Sequence, residues 1–318
     1  MVVLVLAALA SVTVSAPARA ATVERYSIVV QGETALGWAA YPASATPTKL
    51  LVFGHGCCGN PNQSALVRRY ADDFGAVAVA MDYRGPGHFD VMKGHQDVVA
   101  ATEELKTRFP SITRTVIWGQ SMGGTVTGRA VAARPDLYDY WVDTFGAVDL
   151  FQQFTLFAGY PAITPNPDDP DNPTGSWLIE ECGGTPATAP QAYLDRSPAY
   201  QANRMKGLKR VYIAHGIGDL VVQYSQSRLM HANLVANGIP ATMTTVLTRS
   251  GGIQGPLVPG QQWPTVPTPY GPSAHDGSAT KESSAVVNAL LRGLEPDAGT
   301  ATREWVVDGT TGQRVSTP

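Results

Sequence analysis

The chain has 318 residues, of which 44% are hydrophobic and 15% are charged; this excludes a disordered protein, which carries high charge and buries little apolar surface. The 23 Lys and Arg against 26 Asp and Glu give a net charge of -3, which excludes the basic surface of a nucleic-acid-binding protein. Three cysteines are too few for a disulfide scaffold, so we expect a globular protein with no nucleic-acid partner.

The first element in chain order is an apolar N-terminus, residues 1–20. Its apolar run is too short to span a membrane, and it ends in Ala18-Arg19-Ala20, which has the small residues at -3 and -1 of a signal-peptidase site. No Lys or Arg precedes the run, and the alternative is a buried N-terminal strand or helix. We predict a signal peptide cleaved after Ala20, which removes Arg19 and moves the net charge from -3 to -4. The mature protein is then secreted, extracellular or periplasmic, with no membrane segment.

Strand and helix patterns alternate through the first half of the mature chain. The predicted strands are Tyr26–Val30, Leu36–Tyr41, Lys49–Phe53, Ala76–Asp82, Arg114–Trp118 and Trp141–Phe145. The predicted helices are Gln63–Asp73, His95–Arg108 and Gly123–Ala133. Short apolar runs such as KLLVF and AVAVAM are typical of strands buried on both faces, and the alternation predicts a mostly parallel sheet with right-handed crossovers.

This alternation stops at about residues 149–206, where many prolines and the acidic Asp168, Asp169 and Asp171 predict an insertion over the sheet. It resumes with two strands, two helices and one long Gly/Pro loop: Arg210–Ala214, Ser225–Asn237, Ala241–Thr248, Ser250–Ala274 and Lys281–Leu294. We therefore predict one domain over residues 21–295 and a polar, peripheral C-terminal tail over residues 296–318.

Ser121 lies in Gly119-Gln120-Ser121-Met122-Gly123-Gly124, between a predicted strand and a predicted helix. A sharp strand-to-helix turn needs glycine two positions either side of the serine, because a Cβ there would collide with neighbouring backbone. The turn exposes the serine oxygen and aims the helix N-terminus at it. The alternative is a serine that only caps the helix. Because a strand and a helix flank the motif, we predict that Ser121 is a nucleophile.

With these residues the chain resembles the α/β-hydrolase superfamily over about Lys49–Leu294. The resemblance rests on His55-Gly56 after one strand, Asp82-Tyr83-Arg84-Gly85 after the next, and the turn at Ser121. Arg196-Ser197-Pro198 ahead of RVYIAHGIGD is similar to the prolyl-oligopeptidase-like and dienelactone-hydrolase-like branches, although dienelactone hydrolases usually carry cysteine as the nucleophile. The resemblance implies an α/β-hydrolase fold, a mostly parallel central sheet flanked by helices, with a cap-like insertion.

A serine hydroxyl is a poor nucleophile and needs an imidazole within hydrogen-bond reach. The resemblance implies the chain order serine, acid, histidine, with the histidine before the last helix. Three histidines follow Ser121. His231 falls in a predicted helix, and His215 directly precedes the Gly216–Asp219 turn, which we expect it to shape. His275 lies between the last strand and the last helix, so we predict it as the base.

The acid must lie beside that histidine and hold its tautomer. Asp219 follows the RVYIA strand, where the resemblance predicts the acid; Asp149 is the rival, and Asp276 would point away from the neighbouring base. An oxyanion hole needs two converging backbone N–H groups. We predict those of Met122, after the nucleophile, and of Cys57, in the loop after the KLLVF strand.

No metal or nucleotide cofactor is predicted. The spacing of His55, Cys57, Cys58 and Cys182 matches no standard zinc pattern, and Gly85-Pro86-Gly87 lacks the dinucleotide GxGxxG spacing. An oxidising compartment would allow one disulfide among the three cysteines, and its pairing stays open.

The insertion and the Ser250–Ala274 loop are expected to frame the substrate cleft. Their aromatic residues are Phe151, Phe154, Phe157, Tyr160, Trp177, Trp263 and Tyr270. We predict substrate contacts by Trp177, Trp263 and Tyr270, since an aromatic rim suits a small-molecule or polymeric ester better than a highly charged substrate; the alternative is packing beneath the insertion. The leading hypothesis is a carboxylic-ester hydrolase. The others are a prolyl-oligopeptidase-like peptidase, an acyltransferase and an inactive binding module.

Overall fold

The structure is a computed structural model that describes residues 20–44, 46–56, 62–85, 90–159, 165–166, 169–173, 175–219, 221–247, 275, 277–309 and 311–315. The strands in these ranges are β1 (Thr22–Val30), β2 (Glu33–Tyr41), β3 (Lys49–Gly54), β4 (Val77–Met81), β5 (Arg114–Gln120), β6 (Tyr140–Thr144), β7 (Pro165–Asn166), β8 (Asp169–Pro173), β9 (Arg210–Gly216), β10 (Ala241–Leu247), β11 (Thr302–Asp308) and β12 (Arg314–Val315). The α-helices are α1 (Gln63–Phe74), α2 (Val91–Arg108), α3 (Met122–Ala133), α4 (Leu150–Gly159), α5 (Gly175–Cys182), α6 (Pro190–Arg196), α7 (Tyr224–Ala236) and α8 (Ser278–Leu291).

The main sheet has the strand order β1-β2-β4-β3-β5-β6-β9-β10-β11-β12. Neighbouring strands are parallel from β4 to β11, while β1 and β2 at one edge and β12 at the other pair antiparallel. After β3 the chain forms β4, which pairs with β3 on one side. It then returns to form β5, which pairs with β3 on the other side. In open α/β sheets such a reversal opens a crevice at the carboxyl ends of the strands, where ligands bind.

Helices cover both faces of this sheet, which is why its central strands are apolar throughout. Every residue of β4, β6 and β9 is buried. On one face α2, α3 and α7 contribute Val98, Val126 and Met230 to the core, and on the other α1 and α8 contribute Tyr70 and Leu290. The predicted fold class, a mostly parallel sheet between helical layers, is confirmed.

The segment between β6 and β9, predicted as an insertion, contains α4, the β7–β8 pair, α5 and α6. Its helices share a small apolar cluster of their own, formed by Leu150, Leu178, Cys182 and Tyr193. These helices therefore have a small core of their own, while Ala199, Ala202 and Met205, later in the segment, extend the core of the sheet.

The C-terminal residues differ from the expectation of a peripheral tail, because β11 pairs in parallel with β10 from Ala241↔Thr302 to Leu247↔Asp308. This strand was not predicted from the sequence. Of its seven residues only Val307 is buried, so its polar composition resembles that of a tail. Among the described strands, only the two-residue β12 lies beyond β11, and a strand so close to the edge is held mainly by backbone hydrogen bonds and needs little apolar surface.

Among the described residues, no helix combines the length and the apolar composition needed to cross a membrane. Residues 1–19 of the predicted signal peptide lie outside the described part of the chain.

Candidate active site

The chain turns sharply between β5 and α3, and Ser121 occupies the turn with φ 54° and ψ -125°. A positive φ is unusual for a residue with a side chain and costs of order 1–3 kcal/mol. A Cβ at Gly119 would lie 2.3 Å from the Gly123 carbonyl oxygen, and one at Gly123 would lie 2.2 Å from that of Gly54. Only glycine fits at both positions, so α3 can start directly above the end of β3.

This turn brings Ser121 next to His275. The His275 Nε2 lies 2.9 Å from Ser121 Oγ, and the His275 Nδ1 lies 2.7 Å from Asp219 Oδ2. A carboxylate oxygen can only accept, so Nδ1 carries the hydrogen and Nε2 accepts from the serine hydroxyl. The Ser121 hydroxyl therefore donates to His275 and does not cap α3. The structure joins three residues that are far apart in the sequence into one hydrogen-bonded chain.

Asp219 is buried, 6% exposed, in the loop between β9 and α7. Its Oδ1 accepts from the backbone N–H groups of Val221, at 2.8 Å, and Val222, at 3.0 Å. Burial by itself would raise the pKa of Asp219, but the attraction of His275 and the hydrogen bonds from His215 and His275 outweigh it and hold the pKa below its usual range. Asp219 is therefore a carboxylate at neutral pH.

The rival acid, Asp149, is also buried, but its side chain caps the N-terminus of α4. Its Oδ1 accepts from the backbone N–H of Phe151 at 3.0 Å, and its Oδ2 accepts from the Tyr200 hydroxyl at 3.0 Å. Its own backbone N–H donates to the Gln226 side chain at 2.9 Å. Both carboxylate oxygens thus hold the start of the insertion. Asp276 lies outside the described residues.

Two loops converge where an oxyanion would form. Met122 is the first residue of α3, and the N–H of a first helical residue has no carbonyl partner in its own helix. In the loop after β3, a Cβ at Gly56 would lie 3.5 Å from Ser121 Cβ, so this loop runs directly beside the serine. The Tyr83 hydroxyl supports that loop by donating to the His55 carbonyl at 3.1 Å. Cys57, the predicted second donor, lies outside the described residues.

Two residues at this site were not identified as part of it from the sequence. The Phe145 ring, after β6, packs 4.5 Å from the His275 ring, centroid to centroid. His215, expected only to shape a turn, contacts Asp219 through its Nε2. The HGIGD spacing, with a histidine four residues before the acid, is the one sequence signal that could have pointed to His215.

The predicted aromatic rim is only partly described. Trp177 lies on α5 and is partly buried, whereas Trp263 and Tyr270 lie outside the described residues. The rings of Phe151 and Phe154 pack against Tyr193 within the insertion, at 5.4 and 5.8 Å between centroids. For these two phenylalanines the alternative of packing beneath the insertion is the better description.

Helix α4 of the insertion nevertheless borders the site. The Gln153 side chain donates to the Val221 carbonyl at 2.9 Å, and the Ser225 hydroxyl donates to Gln152 at 2.8 Å. The first contact is with the loop that carries Asp219, and the second is with the start of α7. The insertion is therefore anchored at the edge of the Ser121–His275–Asp219 chain.

In the described part of the chain, no cluster of three or more His, Cys, Asp or Glu side chains could hold a metal ion. Cys182 is a buried free thiol, and burial raises its pKa to about 11. Cys57 and Cys58 lie outside the described residues, as does most of the loop that carries them.

A mostly parallel sheet of this order, with a strained serine turn after its fifth strand, defines the class of α/β-hydrolases, and this chain is one of them. Within the class it belongs to the prolyl oligopeptidase family, a family of serine hydrolases, whose model matches residues 64–255, more than half of the chain. No curated protein sequence matches it.

Solved structures share this fold at low sequence identity. An acylaminoacyl peptidase of Pyrococcus horikoshii aligns with TM-score 0.60 and 16% identity over 89% of this chain and 43% of its own. A puromycin-hydrolyzing peptidase of Mycobacterium tuberculosis aligns with TM-score 0.59 and 18% identity, over 88% and 40%. The carboxylesterase EstE1, cloned from a metagenomic library, aligns with TM-score 0.61 and 15% identity, over 88% and 92%. This chain thus spans less than half the length of either peptidase.

Proposed function

We propose that this serine hydrolase is a secreted enzyme that cleaves carboxylic esters through an acyl-enzyme, with Ser121 as nucleophile, His275 as general base and Asp219 as the orienting acid. The observation that carries the proposal is the continuous hydrogen-bonded chain from Ser121 Oγ through the His275 ring to Asp219 Oδ2. This is the arrangement of a serine-hydrolase triad, in the chain order serine, acid, histidine.

In the first half of the reaction, Ser121 Oγ attacks the ester carbonyl carbon while His275 Nε2 takes the hydroxyl proton. Asp219 stabilises the imidazolium that forms, and the N–H groups of Met122 and Cys57 bind the oxyanion. His275 then gives its proton to the leaving alkoxide, which departs as an alcohol and leaves the acyl group on Ser121.

In the second half, a water molecule attacks the acyl carbon and His275 takes its proton. Collapse of this intermediate breaks the bond to Ser121, and the proton returns to Ser121 Oγ. The products are one carboxylic acid and one alcohol, and the enzyme recovers its starting state. The cycle uses no metal and no nucleotide.

An apolar ester is supported by the surroundings of the triad. The Phe145 ring packs on the His275 ring, so this side of the triad is apolar. Family membership favours a second candidate, a peptidase, because the family takes its name from prolyl oligopeptidase. Both activities need the same triad, so the acyl group and the leaving group distinguish them.

The experiment that separates the two candidates is a side-by-side panel of p-nitrophenyl esters and aminoacyl anilides. We expect turnover of the esters, with anilides at least about 100-fold slower in kcat/KM. Ser121→Ala is the matched control and should lose on the order of 10⁴–10⁶ in kcat on every substrate. Faster cleavage of an anilide would replace the esterase proposal with the peptidase, and an active Ser121→Ala enzyme would exclude both.

Secretion is supported by a contact at the residue that follows the predicted cleavage site. The Ala21 side chain is buried, and its backbone nitrogen donates to Asp72 Oδ1 at 2.6 Å. Cleavage after Ala20 would convert this nitrogen into an ammonium group that pairs with the Asp72 carboxylate. N-terminal sequencing of the exported protein should therefore begin at Ala21, and an uncleaved N-terminus in the cell-associated fraction would contradict the proposal.

A further inference from the structure

His215 lies near the end of β9 and is completely buried, with no exposed surface. Its Nε2 is 3.0 Å from Asp219 Oδ2 and 3.0 Å from the Val222 carbonyl oxygen, and its Nδ1 is 2.7 Å from Ser227 Oγ. The rings of Phe145 and Tyr224 pack against its ring at 6.4 and 5.8 Å between centroids. Every polar atom of this buried imidazole thus has a partner.

These contacts determine where the His215 ring carries its hydrogen. The Asp219 carboxylate and the Val222 carbonyl can only accept, so Nε2 must be the donor. In the neutral ring Nδ1 then accepts, and the Ser227 hydroxyl donates to it. Ser227 is itself completely buried on α7. Asp219 and the Val222 carbonyl therefore select this His215 tautomer, and the Ser227 hydroxyl stabilises it by donating to Nδ1.

Asp219 Oδ2 consequently lies between two imidazoles. It accepts from His275 Nδ1 at 2.7 Å and from His215 Nε2 at 3.0 Å, while Oδ1 accepts from two backbone N–H groups. Four donors surround a carboxylate that is otherwise removed from water. Because a buried charge is stable only when it is fully hydrogen-bonded, each donor contributes to keeping this carboxylate ionised and fixed in orientation.

We propose that His215 is a positioning residue of the active site, which holds Asp219 Oδ2 against His275 through its Nε2–H and does not touch substrate. The inference rests on the proposed triad of Ser121, His275 and Asp219. Without this donor the carboxyl group either rotates toward another partner or takes up a proton. In both cases His275 loses the acceptor that fixes its tautomer.

Three substitutions at position 215 distinguish the loss of the Nε2 hydrogen-bond donor from a change in side-chain shape. His215→Leu removes the donor, His215→Asn places an amide only near the Nδ1 position, and His215→Gln can place an amide N–H near the Nε2 position. We expect His215→Leu and His215→Asn to lower kcat about 10–100-fold with KM within about twofold, and His215→Gln to recover most of the loss. Equal loss in all three, or no loss in any, would overturn the proposal.

A double-mutant cycle with Asp219→Asn tests whether His215 acts through the acid. In the Asp219→Asn background, where the carboxylate is already gone, His215→Leu should reduce kcat by less than about threefold further. A purely structural role would reduce kcat by the same factor in both backgrounds, and that result would overturn the proposal. The folded fraction of each variant is measured by thermal unfolding, so that misfolded protein does not enter kcat.

If His215→Leu does not fold, Ser227→Ala tests the same proposal, because it removes the hydrogen bond that holds the His215 ring at Nδ1 without opening a large cavity. We expect a loss of about 2–10-fold in kcat that also disappears in the Asp219→Asn background. The control is His95→Leu, since His95 is a buried histidine on α2 whose Nδ1 contacts the Val91 carbonyl. It should lower the melting temperature and leave kcat per active site unchanged.

Different results would contradict the triad and the role of His215. A wild-type enzyme that cleaves neither esters nor anilides, and takes up no fluorophosphonate, would contradict the triad itself. An active wild type with full kcat in His215→Leu and Ser227→Ala would leave the triad intact and overturn only the role of His215.

Discussion

At the scale of single residues, two buried aspartates follow neighbouring strands of the sheet and have different partners. Asp219 faces His275 and His215, whereas Asp149 accepts from the first N–H groups of α4 and from Tyr200. The chain order and the strand ends are compatible with either residue as the acid. Their hydrogen bonds assign Asp149 to the insertion.

The two aspartates can be compared by the same isosteric change. Asp219→Asn should lower kcat on the order of 10⁴-fold, because an amide at this position favours the wrong His275 tautomer. Asp149→Asn should retain kcat per active site and lose about 1–3 kcal/mol of unfolding free energy, through a weakened cap of α4. Burst titration gives the active sites and urea unfolding gives the stability. An inactive Asp149→Asn with an active Asp219→Asn would reverse the assignment.

Asp143, on β6, is a third buried carboxyl group, and it lies under the serine turn. A Cβ at either Gly124 or Gly146 would come within 2.2 Å of its Oδ1, so both glycines make room for it. Burial raises the pKa of Asp143 to about 7, and the nearby backbone N–H of Gly146 offsets only part of this rise. The native state therefore keeps a proton that the unfolded chain, with a pKa near 3.8, releases at much lower pH.

The raised pKa predicts the sign of a pH effect on stability. Between about pH 4 and pH 7 the native state binds more protons than the unfolded state at this group, so stability falls as the pH rises. Asp143→Asn does not titrate there, and its unfolding free energy relative to wild type should rise by about 2–3 kcal/mol from pH 5 to pH 8. Urea unfolding of both proteins at the two pH values measures this, and a constant difference would mean that Asp143 ionises normally.

At the scale of elements, the close approach of α3 to β3 depends on glycine. A Cβ at Gly123 would meet backbone oxygens of Gly54 and His55 at 2.2 and 2.5 Å, and backbone cannot move aside as a flexible side chain can. The turn at Ser121 and the beginning of α3 therefore form one rigid unit with the end of β3.

Gly123→Ala should cost about 3 kcal/mol or more of unfolding free energy, since it forces α3 away from the sheet. The control is Gly75→Ala, at the C-terminus of α1, where φ is 61° and no atom lies within 4 Å of the added Cβ. That change should cost only about 1 kcal/mol, from backbone strain alone. Denaturant midpoints of the two variants test the comparison, and similar losses would show that the contact at Gly123 relaxes easily.

At the scale of the whole molecule, β11 extends the sheet beyond β10. The Tyr212 hydroxyl donates to the Pro296 carbonyl at 2.6 Å, and Arg210 donates to the Thr300 carbonyl, so side chains of β9 reach across to the C-terminal segment. Asp219 leaves the sheet at the opposite, carboxyl end of β9. The C-terminal segment thus supports the sheet without entering the site.

Truncation after Glu295 should lower the melting temperature by about 5–10 °C, because it removes β11 and exposes the backbone edge of β10. The kcat per active site should stay within about twofold of the full chain. A shorter truncation after Gly309, which removes only β12, is the control and should change the melting temperature by less than about 2 °C. Equal melting temperatures for all three chains would show that β11 contributes nothing.

The local sequence was sufficient for the features that depend on local sterics. The glycine spacing around Ser121 predicts the strand-to-helix turn, because the collisions that exclude a Cβ arise between a strand and the helix that follows it. Apolar runs such as Val77–Met81 predict a sheet covered on both faces. Boundaries were less well predicted: α2 begins at Val91 rather than His95, since the Asp90 side chain caps it.

The partners of buried polar groups depend on how distant elements pack, and no local pattern contains that information. His215 reaches both Asp219 and Ser227 because β9 and α7 meet in the tertiary structure, and Asp149 is directed to α4 because the insertion folds back on it. Strand β11 has four polar residues among seven and only one buried residue, since it is held near the edge of the sheet mainly by backbone pairing, which any residue but proline provides. Side-chain composition therefore predicted the serine turn and the buried sheet, and only the tertiary structure could show the hydrogen-bond partners of Asp149 and bring the second imidazole to Asp219.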